Sequence, residues 1–169
     1  MNAVAAQGHN LTVITPDTEK NPPPNVHYIH LENIYSALYN GSEAFDLNGL
    51  AKAGLIASIM EFYEYTLMSC ASALKSEGIK QLLSYPRDFK FDAVLYDFTC
   101  GPCLVSFVHY FGNPPLISVS AFNNPPYTTE LVGGHKQYAY IPHYNMKSDV
   151  DMNLYERAKN SIIYSFDHL

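Results

Sequence analysis

An α/β fold built on a parallel sheet is predicted by three observations. Short apolar runs of strand length recur at Leu11–Thr15, Val26–Leu31, Ala93–Tyr96 and Pro115–Ser120. Helical patterning fills the long interval between the second and third runs and the shorter one between the third and fourth. Ala93–Tyr96 is unbroken by polar residues, as suits a parallel strand covered on both faces. Strands alternating with helices at this spacing imply parallel pairing with right-handed crossovers.

The composition narrows the function classes. At 169 residues the chain is long enough for one well-buried core and short for two full domains. A hydrophobic fraction of 47% marks a globular chain, and no segment approaches the length of a membrane span. A formal charge of −6 with ten Lys and Arg argues against nucleic acid as a partner, since phosphate contacts need a basic face. The three cysteines, Cys70, Cys100 and Cys103, make neither a disulfide framework nor a zinc-type pair of CxxC units. There is no glycine-rich phosphate loop, and neither a metal nor a cofactor is expected.

The elements follow in order. Met1–Gln7 are helix formers closed by Gly8, and no N-cap precedes them, so the chain is expected to open on the last turns of a helix. No basic start with a long apolar run follows, as a secretory leader would need. The natural protein is therefore expected to begin upstream, with Met1 internal. After Leu11–Thr15 comes a polar, proline-rich loop, Pro16–Asn25, and then Val26–Leu31. On that strand His27 and His30 point to opposite faces and cannot share a metal. Asn33–Asp46 reads as a loop, and Asn40-Gly41-Ser42 within it is a glycosylation sequon.

Leu47–Tyr85 carries a helical pattern. Ile56, Met60, Tyr63, Leu67, Ala71 and Leu74 recur at spacings of three and four, which predicts a core-facing stripe, while Ser58, Glu61, Ser69, Ser72 and Ser76 lie opposite. Pro86 ends the element. Past Cys103, Leu104–Phe111 continues as a helix that Gly112-Asn113-Pro114 stops. Ala121–Asn145 is long, aperiodic and rich in Pro, Asn, Gly, Tyr and His, and such loops are usually binding surfaces. Asp149–Phe166 closes as a helix with Met152, Tyr155, Ala158, Ile162 and Tyr164 to bury.

Asp97 stands at the carboxyl end of the Ala93–Tyr96 strand, the edge where open α/β sheets bind ligands. Two readings of it compete: a local turn or capping residue, and a carboxylate that orients a catalytic histidine. The neighbouring CGPC at Cys100–Cys103 adds a third, because a dithiol at a helix start after a strand is the thioredoxin arrangement. The tryptophan that precedes the first cysteine there has no counterpart, since the chain contains no Trp, and no cis-proline segment is evident at a suitable distance.

A second resemblance spans nearly the whole chain. AAQGHNLTVITP at Ala5–Pro16 resembles the Arg-Gly-His-x-Val-Thr-Val segment near the start of UDP-glycosyltransferases, and FDAVLYD at Phe91–Asp97 resembles their Phe-Asp-x-x-x-x-Asp strand. Asn113-Pro114 and LISVSAF at Leu116–Phe122 continue in register. LVGGHKQYAYIPHYN at Leu131–Asn145 and MNLYERAKN at Met152–Asn160 are similar to the Tyr-x-Pro and Met-x-Phe-x-x-Arg-x-x-Asn segments of the insect members, with Leu154 in place of the Phe.

The resemblance implies the Rossmann-like N-terminal, acceptor-binding half of a two-domain GT-B glycosyltransferase. It implies transfer of a hexose, glucose, from a UDP-sugar to a small lipophilic acceptor with inversion and without a metal. It also implies an endoplasmic-reticulum protein facing the lumen, held in the membrane by an anchor outside this chain. Asp97 matches the family's aspartate, which holds the histidine that deprotonates the acceptor hydroxyl. That histidine belongs to a turn upstream of Met1, and the UDP-sugar domain to a region after Leu169, so the chain alone is expected to be inactive. His9 is no substitute, because it lies at the amino edge of the strands, roughly 17 Å from the carboxyl edge across a five-residue strand. Phe98, Phe122 and Tyr127 are the expected acceptor contacts. The alternatives are a thioredoxin-like oxidoreductase and a non-catalytic module for lipophilic ligands.

Overall fold

The structure, a computed structural model, describes residues 1–40, 46–98, 101–120, 126–146, 148 and 150–167, with the backbone alone at 47, 50, 51, 126 and 127. Residues 1–45 and 65–89 form one compact unit, and residues 46–64 and 90–169 form the other.

The first unit begins with α1 (Asn2–Ala6), closed by Gly8 in the left-handed region at φ +91°. Strands β1 (Leu11–Thr15) and β2 (Val26–His30) pair in parallel, with Leu11 opposite Val26 and Thr15 opposite His30. The Asn25 amide fixes where β1 starts by donating to the carbonyls of Ala5 at 2.7 Å and His9 at 2.6 Å. Val26, Ile29 and Leu31 are buried, as are Leu38 of α2 (Ile34–Tyr39), Ala73, and Ile79 and Leu82 of α5 (Glu77–Leu83). Helix α5 packs on β2. His27 and His30 lie at the surface, touching Gln81 and the Pro16 carbonyl.

The second unit holds α3 (Leu47–Lys52), β3 (Val94–Asp97), α6 (Ser106–Tyr110), β4 (Leu116–Val119), α7 (Pro126–Leu131) and α8 (Leu154–Asp167). Strands β3 and β4 pair in parallel, Val94 opposite Leu116 and Asp97 opposite Val119. Left-handed Gly112 and Asn113 turn the chain between α6 and β4. Ile59, Phe98, Phe111, Met152, Ile163 and Tyr164 are buried here. Helix α4 (Leu55–Lys75) contributes its first turns to this unit and the rest to the other. No helix among the described residues is long and apolar enough to cross a membrane.

This mixture of helices and short parallel strand pairs fits an α/β fold, but several expectations are corrected. Among the described residues the strands form two parallel pairs, β1 with β2 in the first unit and β3 with β4 in the second. Leu95 of β3 is 53% exposed, so that strand is not covered on both faces. The single long helical stretch is three helices, α3, α4 and α5. Gly54 precedes α4, and Ser76 breaks the last junction by capping α5, its Oγ accepting from Gly78 N–H at 3.0 Å. The supposed loops contain α2 and α7.

The stripe on α4 is also reversed. Ile56, Met60, Tyr63, Leu67 and Leu74 are exposed, while Ile59, Ser69 and Ala73 are buried. Serine and alanine let a helix approach its neighbours closely, and periodicity alone does not say which side is covered. On α8, likewise, Tyr155 and Ile162 are exposed, and Asn160, Ile163 and Tyr164 turn inward.

Candidate functional site

Alternation along β3 builds the site. Tyr96 and Phe98 turn inward, their rings tilted against each other with centroids 4.6 Å apart, and Phe98 is fully buried. Asp97 between them is exposed at the carboxyl end of the strand. The Tyr96 hydroxyl ties down the segment that follows, donating to the Gly101 carbonyl at 2.8 Å and accepting from Leu104 N–H at 3.2 Å. Gly101 has φ +83°, where a side chain would be strained, so a glycine suits this turn. Gly101 and Leu104 are thus tied to the strand that carries an exposed carboxylate at its end.

The helix that follows starts at Ser106, two residues later than the Leu104–Phe111 stretch expected from the sequence. It spans five residues, Ser106–Tyr110. Half-buried Cys103 precedes it in a turn, two residues before the Val105 N-cap. Cys100, Phe122, the Tyr127 side chain and the Gly41-Ser42 part of the sequon lie outside the described residues. Of the three aromatic residues assigned to an acceptor, only Phe98 has a described side chain, and it faces the interior.

A second, buried polar cluster joins the 138–145 segment to α8. Asn160 of α8 is fully buried, accepts from His143 N–H at 2.8 Å and donates to the carbonyls of Tyr138 at 2.7 Å and Ile141 at 2.8 Å. His143 Nδ1 accepts from Asn145 N–H at 3.2 Å, which puts the proton of a neutral ring on Nε2. That atom lies 3.3 Å from Asp167 Oδ2, close enough for charge to matter but poorly aligned for a hydrogen bond.

The rings of Tyr144 and Tyr164 flank the imidazole, and the Tyr63 hydroxyl donates to the Asp167 carbonyl at 2.6 Å. Burial first, and the Asp167 charge second, push the Tyr63 and Tyr164 hydroxyls above their ordinary pKa. A His–Asp pair is catalytic chemistry in form. With both side chains almost wholly enclosed it has no access to a substrate, and it acts as a polar clamp between the 138–145 loop and α8. The signal in the sequence was the pair of segments IPHYN and MNLYERAKN, whose His143 and Asn160 meet here.

Neither a family model nor a solved structure matches the chain. UDP-glucosyltransferase 2 of Dactylopius coccus is 24% identical to it over 161 residues, which cover 95% of this chain and 30% of that protein. That supports a UDP-glycosyltransferase relationship. The chain thus spans less than a third of the length of the relative it matches, and it aligns along nearly all of its own length.

Proposed function

We propose that these residues form the acceptor-binding part of a UDP-glycosyltransferase that moves glucose from a UDP-sugar to a small lipophilic alcohol, with inversion. The observation that carries this reading is the exposed Asp97 at the carboxyl end of a parallel strand, in a chain that aligns over 95% of its length with 30% of a UDP-glucosyltransferase. In the proposed reaction Asp97 accepts the N–H of an imidazole supplied from outside these residues. The other ring nitrogen takes the acceptor hydroxyl proton, the alkoxide oxygen bonds to the anomeric carbon, and the bond to UDP breaks. The carboxylate fixes the tautomer and stabilises the imidazolium that forms.

The UDP-sugar is assigned to a region outside the chain, and the chain alone should transfer no sugar. Phe122 and Tyr127 are the proposed direct acceptor contacts. Phe98, being buried, would act chiefly by fixing the position of Asp97. In the longer protein the site would face the lumen of the endoplasmic reticulum, with an anchor beyond these residues holding it at the membrane. The test is Asp97→Asn in that longer protein, read as glucoside formation with UDP-glucose. Turnover should fall by about 10²-fold or more with little change in acceptor KM. Unchanged turnover would remove Asp97 from the mechanism.

A further inference from the structure

Two adjoining cavities in the second unit, about 580 Å³ and about 840 Å³, share Leu55, Tyr155 and Lys159 as a common wall. The first is an open, apolar groove lined by Ile56 and Ala57 of α4 and by Ala158, Ile162 and Ile163 of α8. The second is polar, with Ser58, Asn145, Ser148, Asn153 and Glu156 among its walls. Both volumes fall in the range of small-molecule sites, roughly 300–1,000 Å³.

One lysine and one glutamate line the junction, and the lysine is the group that could meet an acid. Lys159 lies on the wall the two cavities share, and among the described residues no carboxylate forms an ion pair with it. Glu156, the acid in the polar cavity, is engaged by the Asn153 N–H at 2.9 Å. On the apolar side Ile162 is 70% exposed and Tyr155 76%, so large hydrophobic side chains stand uncovered next to an ammonium group. An alkyl chain would cover them, and a carboxylate would pair with the lysine.

We propose that this double groove binds a fatty carboxylate, its chain along the α4–α8 wall and its head on Lys159. Binding there involves no UDP-sugar, so it stands or falls apart from the transfer reaction.

The experiment is a fluorescence titration of the 169-residue chain with cis-parinarate, a polyene fatty carboxylate, below its micellar concentration, followed by displacement with dodecanoate or dodecanol. Saturable binding is expected, with dodecanoate displacing the probe about tenfold better than dodecanol, as one charge-assisted contact would give. Lys159→Ala should abolish that preference while leaving displacement by the alcohol intact. Ile162→Asp, at an exposed position, should weaken probe binding by about tenfold with an unchanged circular dichroism spectrum. Absence of saturable binding overturns the proposal. So does equal displacement by the acid and the alcohol in the unmodified chain, or an acid preference that survives Lys159→Ala.

Discussion

Gly78, in the first turn of α5, lies so close to the end of β2 that a Cβ placed on it would stand 2.2 Å from the His30 carbonyl oxygen. Backbone meets backbone there, so no flexible side chain can yield. Gly78→Ala should therefore separate α5 from β2 and destabilise the chain by about 2–3 kcal/mol. Chemical denaturation of the two proteins measures this. An alanine variant as stable as the parent would contradict the contact.

Glu32 supplies an acid-sensitive brace to the same helix. Its carboxylate accepts from Glu77 N–H at 2.5 Å and from the Ser76 hydroxyl at 2.7 Å. The Glu77 N–H first, and Ser76 next, lower its pKa from 4.5 to about 2. A depressed carboxylate stabilises the fold fully above its unfolded value and loses that contribution as pH falls through the folded one. Unfolding midpoints should therefore drop between pH 4.5 and about 2, and Glu32→Gln should flatten that part of the curve. Parallel curves for the two proteins would count against the brace.

Asn160→Ala should cost about 3 kcal/mol, because it strands the His143 N–H and the Tyr138 and Ile141 carbonyls near the core. Amide exchange should locate the damage. His143 N–H, bonded to the lost side chain, should exchange faster, while amides of β1 and β2 in the other unit keep their protection.

Helix α4 offers a direct comparison of its two sides. Ile59 is 1% exposed and Leu67 is 68% exposed. Ile59→Ala should cost roughly 2–5 kcal/mol and Leu67→Ala less than about 0.5 kcal/mol. The opposite ranking would restore the periodic stripe as the buried face.

The four strands were legible because each is an apolar run between polar or proline-rich segments, and β3 ends at Asp97 as its pattern implied. Parallel pairing was legible as well, within each pair. The buried side of α4 misled because Ser69 and Ala73, which pack inward, look like a polar or neutral face to any hydrophobic count. At the candidate site the position of Asp97 followed from the strand alone. The role of Tyr96 in bracing the turn did not, because a tyrosine in an apolar run reads as core until its hydroxyl is seen to bridge Gly101 and Leu104. His143, Asn160 and Asp167 are separated by too many residues to show their contact in a linear pattern.

The two units interleave along the chain, which crosses from one to the other after Phe45, within α4 after Glu64, and again after Phe89. During synthesis, residues 46–64 leave the ribosome well before β3, β4 and α8, the elements of their own unit. The first unit, by contrast, needs 65–89 and can be complete while most of the second is unmade. The early turns of α4, whose Ile59 is buried in the finished unit, therefore wait without their partners, and this interval is when a nascent chain is most open to aggregation or chaperone capture.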